Sequence, residues 1–326
     1  MPVLLVRKAK VESDPILAAA QRMEAGLRAA FLDAVDQIKG TISLDKLAEA
    51  VRAGDENGAL AVLALDKGFA DALRGVGLEA GVRSFRDAVQ ATYAAGAKAA
   101  IAALPSKVST ELSFNMMSKE AQAFLETYDF ALIQQITDSS REAIRQTILR
   151  AFKEGGNPIE QARSIRDVIG LTARQEQAVA NFHDALEQGN LRQAMDRALR
   201  DGRYDRTLLG NIKNGTPLDQ AQVDKMTARY KERYLKYRSE TIARTESIRA
   251  SSAGRREAWS QSEKQGLFKG RDVTRVWIVS GDSATCSECD ALDGETAGLD
   301  EEFAPGIVDP PDPHPDCRCV VTLRLT

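Results

Sequence analysis

All four cysteines of this chain lie within its last 41 residues, and one of its two histidines lies among them. Cys286-x-x-Cys289 comes first, and His314-x-x-Cys317-x-Cys319 follows after 24 intervening residues. A segment this short buries too little apolar surface to order such a long loop without cross-links. The clustering therefore predicts a small C-terminal module that is closed by its cysteines.

The hydrophobic pattern changes at the start of this module. After Gly270 the helical period gives way to alternation, first in Val273–Val279 and again in Val320–Leu325, and both stretches are rich in β-branched residues. The residues between them are rich in proline and glycine, which is typical of an irregular loop. We therefore predict two strands joined by a long loop, in a Cys/His-rich β module at residues 271–326.

Folding the two strands together brings five soft ligands to one place. Four ligands suffice for tetrahedral Zn²⁺, and a C-x-x-C turn lets two thiolates bind one ion. Residues two apart in a strand share a face, so both thiols of the C-x-C pair can ligate while His314 remains spare, or His314 replaces one of them. We predict one structural Zn²⁺ bound by four of the five residues, which are Cys286, Cys289, His314, Cys317 and Cys319. Two disulfides or four buried free thiols are the alternatives.

The rest of the chain is typical of a helical protein. Aromatic residues make up only 6% of the sequence, which suits helices rich in Ala, Leu and Arg. Helix starts are indicated by Asn157-Pro158 and by Thr172 with Gln175 three residues later. We predict a mainly α fold with long helices and a small C-terminal α+β zinc-binding module. The expected segments are a helical N-terminal region at 1–105, a helical core at 106–270 with a long helix at about 217–259, and the module at 271–326.

Within the long helix, the sequence Ser251-Ser-Ala-Gly254 predicts a kink or an end. No stretch reaches about 18 apolar residues, and the N-terminus lacks the apolar core of a signal peptide. We therefore expect no membrane segment. No nucleophile–base pair or carboxylate pair of defined spacing is present either, and no small-molecule substrate is indicated. We expect a protein that is not an enzyme.

Charge is divided unevenly along a chain of net charge −3. The module carries four Arg against twelve Asp or Glu, a formal charge of −8, which disfavours binding to phosphate. Residues 229–256 carry nine Lys or Arg against three Glu, a formal charge of +6. Most such charges form a solvated helix face, but this one is also a candidate contact with DNA or an acidic partner. The candidate contact residues are Arg229, Lys231, Arg233 and Lys236.

An ordered set of motifs now makes a resemblance visible. It comprises Ser239-Glu-Thr-Ile-Ala-Arg-Thr-Glu246, a strand with Trp277, then Asp282 and Cys286-x-x-Cys289-x-x-Leu-x-Gly294, and finally Pro310-Pro-x-Pro-His314-Pro-x-Cys317-Arg-Cys319. Together with the helix starts at Gly156-Asn-Pro158 and Leu171-Thr-x-x-Gln175, they cover residues 118–326. This set resembles the minor head proteins of tailed bacteriophages, in the head-morphogenesis family named for the Mu F protein.

The resemblance implies a virion component in the head interior or at the portal vertex, made in the host cytoplasm and present in few copies. Its implied partners are the portal protein and other capsid components, with packaged double-stranded DNA as a further one. Its implied roles are head morphogenesis, DNA packaging or DNA ejection, and it brings no catalytic residue. The alternative hypothesis is a cytoplasmic zinc-containing nucleic-acid-binding protein that uses the 229–256 helix. The resemblance says nothing about residues 1–105.

Overall fold

The computed structural model describes residues 15–76, 84–280 and 285–326. These residues are predominantly helical, with one small sheet. The first six helices are α1 (Pro15–Thr41), α2 (Leu44–Ala53), α3 (Glu56–Leu63), α4 (Leu65–Arg74), α5 (Phe85–Ala102) and α6 (Ser106–Ser109). The next six are α7 (Lys119–Glu154), α8 (Pro158–Asp167), α9 (Ala173–Glu187), α10 (Leu191–Met195), α11 (Asp205–Asn214) and α12 (Gln220–Lys264), with a 3₁₀ turn at Gly202–Tyr204. The remaining elements are β1 (Val273–Ile278), α13 (Ser287–Asp290), β2 (Thr296–Ala297) and β3 (Val320–Leu325).

The chain forms two compact units, each built from separate stretches of sequence. The cysteine unit comprises the described residues of Met1–Phe31, Leu78–Phe130 and Glu240–Thr326, and the helical unit comprises those of Leu32–Gly77 and Ala131–Ser239. This division differs from the three consecutive segments that the sequence predicts. The difference arises because α1, α7 and α12 each contribute residues to both units, so a boundary falls inside each long helix.

Helix starts in the helical unit follow the predicted capping pattern. The side chain of Asn157 accepts a hydrogen bond from the backbone N–H of Ile159, and Pro158 occupies the first helical position of α8. Thr172 and Gln175 form a reciprocal capping box at the start of α9. These two starts therefore depend on local chemistry that the sequence specifies.

One core cluster of the helical unit is formed mainly by apolar residues of α9, α10, α11 and α12. Phe182 of α9 stacks on Tyr230 of α12, with ring centroids 4.2 Å apart, and Tyr234 packs edge-on against Tyr230. Buried Arg238 adds a polar connection, since its guanidinium donates to the carbonyl of Gly170 at 2.7 Å and to the Ser139 hydroxyl at 2.6 Å. The aromatic residues of α12 in this unit thus pack in its core, apart from Tyr237, which is exposed.

Helices α5 and α12 are in close contact at Ser251–Gly254, where a kink or a helix end was expected. Helix α12 continues through this sequence, and a Cβ atom added at Gly254 would lie 2.0 Å from the backbone oxygen of Tyr93. A Cβ atom at Gly96 would lie 2.2 Å from the backbone oxygen of Ser251. The prediction of a helix end here was wrong, because α12 continues to Lys264, and the glycine allows two helix backbones to come together within the cysteine unit.

Three strands, rather than the expected two, form the sheet. Central β1 pairs antiparallel with β3 over its whole length, from Val273 opposite Leu325 to Ile278 opposite Val320. The additional short strand β2, in the long loop, pairs antiparallel with the other edge of β1. The long loop is therefore partly held by backbone hydrogen bonds.

The predicted module does not have a core of its own. Buried Cys289, Cys317 and Cys319 belong to the same apolar cluster as Trp277 of β1. That cluster also contains residues of the two helices that meet at the glycine contact, namely Ala97, Ala100, Ala258 and Trp259. The sheet and the cysteines therefore depend for their burial on α5 and α12. No helix among the described residues is both long and apolar enough to cross a membrane.

Candidate metal centre

The structure brings the five predicted ligands together from two places in the cysteine unit. Cys286 and Cys289 lie at the start of α13 after β1, whereas the other three lie just before β3. The side chains form two overlapping groups, and the ligand atoms within each group are no more than 4.8 Å apart. The first group is Cys286, Cys289 and His314, and the second is Cys289, Cys317 and Cys319. Cys289 belongs to both groups and is the centre of the cluster.

Two measured separations test whether a zinc ion fits. Tetrahedral Zn²⁺ with Zn–S bonds of about 2.3 Å places its sulfur ligands about 3.8 Å apart. The Sγ atoms of Cys289 and Cys317 are 3.7 Å apart, and Sγ of Cys289 is 3.2 Å from Nε2 of His314. All four thiols are free, and 3.7 Å is far longer than a disulfide bond of about 2.05 Å. The donor set therefore fits a soft tetrahedral ion, and the disulfide alternative does not describe this arrangement.

The imidazole of His314 has the orientation of a metal ligand. Its Nδ1 lies 2.7 Å from the carbonyl oxygen of Pro315, so a proton on Nδ1 is donated to that carbonyl. This hydrogen bond leaves Nε2 as the basic nitrogen, and Nε2 is the atom that faces Cys289. A backbone carbonyl that holds the other ring nitrogen is the usual support of a metal-binding histidine.

Backbone N–H groups also point at two of the sulfurs. Cys289 N–H donates to Sγ of Cys286 at 3.3 Å, and Cys319 N–H lies 3.5 Å from Sγ of Cys317. The pKa of the Cys317 thiol is lowered, chiefly because the Cys319 side chain donates a hydrogen bond to it. Burial raises the pKa of Cys289. Metal binding requires thiolates. Of these two thiols, Cys317 is therefore deprotonated more easily than Cys289 before an ion binds.

Arg275 of β1 holds the long loop in place by hydrogen bonds to its backbone, and this role was not predicted from the sequence. Its fully buried guanidinium donates from Nε to the carbonyl of Gly298 at 2.9 Å and from Nη1 to that of Val308 at 2.8 Å. A third hydrogen bond goes to the carbonyl of Glu301. The sequence signal for the burial of Arg275 was the alternation of β1, which places Arg275 on the same face of the strand as Trp277. The side chain of Arg275 therefore holds this loop independently of any metal ion.

Asp309 connects the end of the loop to α12. Its carboxylate is buried and lies 3.6–3.8 Å from the guanidinium groups of Arg255, Arg256 and Arg275. Burial raises the pKa of Asp309 to about 6, although the three arginines oppose this shift. The cluster joins β1, the loop and α12 through one charged centre.

Helix α12 also directly contacts the segment 314–319, which carries three of the candidate ligands. Asp316, between His314 and Cys317, accepts a hydrogen bond from Nη1 of Arg244 at 3.1 Å. The backbone N–H of Asp316 donates to Oγ1 of Thr245 at 3.0 Å. The next residue, Glu246, is buried and accepts a hydrogen bond from the hydroxyl of Tyr128. The Ala-Arg-Thr-Glu sequence thus places three consecutive polar side chains inside the cysteine unit.

The candidate nucleic-acid contact residues lie in the helical unit and do not share one face. Arg229, Arg233 and Lys236 are spaced by four and three residues, which puts them on the same side of α12. Arg229 and Arg233 are each 3.7 Å from a carboxylate oxygen of Asp201, so part of their charge is offset. Lys231 is partly buried, and burial lowers its pKa. Three of the four candidate residues therefore lie on one face of this helix.

A further group of possible ligands consists of His183, Asp184 and Glu187 on α9. Nδ1 of His183 lies 3.5 Å from Asp184 and Nε2 lies 3.6 Å from Glu187. Both carboxylates are largely solvated, and all three residues come from one helix. The arrangement is that of ordinary surface contacts between neighbouring side chains of one helix.

Comparison with known proteins bears on the C-terminal part of the chain. Residues 181–322 match the family model of phage Mu protein F-like proteins. The matched range contains the five candidate ligands and the whole of α12, and it confirms the predicted resemblance over this range. The motifs at 156–158 and 171–175 lie before it, and Asp282 lies outside the described residues. Comparison with curated proteins and with solved structures gave no match.

Proposed function

We propose that this chain is a minor structural component of a phage head, assembled with the portal protein and other capsid components. The observation that carries the proposal is the match of residues 181–322 to phage Mu protein F-like proteins. We place the protein in the head interior or at the portal vertex, after its synthesis in the host cytoplasm. Its role there is in head morphogenesis, DNA packaging or DNA ejection.

Within this proposal the cysteine cluster holds one structural Zn²⁺. Four of Cys286, Cys289, His314, Cys317 and Cys319 bind the ion, and Cys289 is among them because both ligand groups contain it. Four protein ligands leave no open position for a substrate, so the ion supplies folding free energy rather than catalysis. The proposed protein is accordingly not an enzyme.

Contact with packaged DNA is a finer part of the proposal. We assign this contact to the face of α12 that carries Arg229, Arg233 and Lys236. Lys231 is left out because it lies on another face and is partly buried. The acidic β module is unsuited to phosphate, so it is assigned to protein partners instead. A nucleic-acid-binding protein that acts outside the virion would use the same face, and the two hypotheses differ in where the protein is found.

The test is to produce phage heads in cells that supply either the wild-type protein or a single variant. Cys286→Ser and Cys319→Ser each remove one candidate thiolate, and Ser287→Ala changes an exposed neighbour on α13 as the matched control. Purified heads are analysed for the protein by quantitative mass spectrometry, and for portal association by co-purification. Zinc is measured in the purified protein, with one ion per chain expected.

Wild-type protein and the Ser287→Ala control should be present in heads at low copy number. A variant that loses a zinc ligand should lose the ion, become protease-sensitive after residue 271 and fail to be incorporated. A variant that keeps the ion identifies the spare fifth residue. Absence of the wild-type protein from heads would overturn the proposed function, and a metal-free wild-type protein with four titratable thiols would overturn the zinc centre.

A further inference from the structure

Asp316, which lies between two candidate metal ligands, has a left-handed backbone conformation. Its φ angle is +67°, and Ala64 is the other non-glycine residue with positive φ in the described part of the chain. L-residues in this region suffer a steric penalty, so an Asp there needs supporting contacts. Asp316 stands between His314 and Cys317, and its conformation sets the direction in which the chain leaves one candidate ligand and reaches the other.

Two consecutive residues of α12 supply these contacts. Oγ1 of Thr245 accepts the backbone N–H of Asp316 at 3.0 Å, and Nη1 of Arg244 donates to the Asp316 carboxylate at 3.1 Å. Thr245 is buried, with 6% of its surface exposed, so this N–H is satisfied away from solvent. Arg244 is itself steadied by Glu24 of α1, whose carboxylate lies 3.6 Å from Nε.

These contacts act on the backbone and the side chain of the same residue. The hydrogen bond to Thr245 fixes the peptide N–H, and the ion pair with Arg244 fixes the side chain. With its backbone and its side chain both held, Asp316 retains little conformational freedom. The neighbours of Asp316 are thereby held where Nε2 of His314 and Sγ of Cys317 both face Cys289.

We propose that Arg244 and Thr245 are positioning residues of the metal centre, which hold Asp316 in its left-handed conformation and so preorganise the segment from His314 to Cys317. This inference rests on the proposed zinc centre. Arg244 and Thr245 are not metal ligands themselves, and the inference gives them a role beyond the packing of α12. Without the pair, binding an ion must also supply the free energy that orders this segment.

The experiment measures zinc affinity by competition with a chromogenic chelator, using the full chain. Thr245→Val removes the acceptor and keeps the side-chain shape, and Arg244→Gln removes the ion pair. Thr241→Val is the matched control one turn earlier, since Thr241 shows no side-chain hydrogen bond to any described residue. Arg271→Gln removes an exposed arginine of the same unit as the charge control. Circular dichroism checks that α12 remains helical in every variant.

Thr245→Val and Arg244→Gln should each lower zinc affinity by about 10- to 100-fold, the range found when groups that orient metal ligands are removed. The two controls should stay within about twofold of wild type. Wild-type affinity in both test variants would overturn the positioning role and leave the zinc centre standing. Failure of the wild-type protein itself to bind zinc would overturn both.

Substitutions of Asp316 separate conformational support from general stability. Both variants lose the carboxylate, but glycine adopts positive φ without penalty, whereas alanine keeps the steric penalty. Asp316→Gly should therefore bind zinc more tightly than Asp316→Ala, although glycine is the more flexible residue. Equal affinities for the Gly and Ala variants would contradict the inference.

Discussion

The glycine contact between α5 and α12 provides the sharpest test of the packing. In Gly254→Ala the new Cβ would lie 2.0 Å from the oxygen of Tyr93, and in Gly96→Ala it would lie 2.2 Å from that of Ser251. Both obstacles are backbone atoms, so no rotamer change relieves them. Ordinary contact requires about 3.4 Å, and the helices must therefore separate by roughly 1 Å, which loosens the alanines beside the contact.

Two opposing effects set the magnitude. Replacing glycine by alanine in a helix favours the folded state by about 1 kcal/mol. Overpacking against a rigid neighbour costs about 1–3 kcal/mol and sometimes more, and a backbone obstacle lies at the upper end of that range. We expect each substitution to lower the free energy of unfolding by about 2 kcal/mol. Gly26→Ala on α1 is the matched control, because nothing lies within 4 Å of its added Cβ. It should raise stability by up to about 1 kcal/mol.

Tryptophan fluorescence during urea unfolding is the appropriate assay. Both tryptophans of the chain, Trp259 and Trp277, are buried in the cysteine unit and report on it alone. This selectivity matters because a chain with two units need not unfold in one step. Equal stability of Gly254→Ala and Gly26→Ala in this assay would refute the close approach of the two helices.

Three further predictions concern pH, charge and metal removal. Burial raises the pKa of Glu246 from 4.5 to about 7, so the folded state retains a proton that the unfolded chain releases. The stability from this group is therefore full below about pH 4.5 and is lost as pH rises through about 7, by about 3 kcal/mol at most. Glu246→Gln should remove that loss, and parallel pH profiles of unfolding free energy in wild type and variant would contradict it. Neutralising Arg229, Arg233 and Lys236 together should weaken binding to duplex DNA at low salt with little change in melting temperature; unchanged binding would leave these charges as a solvated face. Chelation of the metal should expose residues 271–326 to protease, and unaltered cleavage kinetics would argue against an ion in this module.

Local features of the structure were predictable where local chemistry decides them. The capping residues Asn157 and Thr172, the long helix α12 and the pairing of β1 with β3 all follow from short-range patterns. The convergence of the five candidate ligands was also predictable, since thiols clustered in sequence come together once two adjacent strands pair. In contrast, Gly254 in a helical sequence is compatible with a kink or with a close helix contact, and only the position of the partner helix decides between them.

Features that depend on distant residues were not predictable. Arg275 is buried because three carbonyls from separate parts of the loop surround it, and no local pattern specifies their positions. Asp316 adopts positive φ because α12, some 70 residues earlier, supplies its partners. The division into two units likewise depends on contacts between distant residues, because each boundary lies inside a continuous helix.

The assembly of the cysteine unit from both ends of the chain has a consequence for biosynthesis. Leu17 of α1 packs against Val320 of β3, and Glu24 pairs with Arg244. On a ribosome, α1 is made long before these partners emerge. Contacts of such long sequence separation form slowly, because a large loop must close before they stabilise anything. This unit is therefore completed only after β3 has emerged, and until then α1 lacks its contact with the sheet.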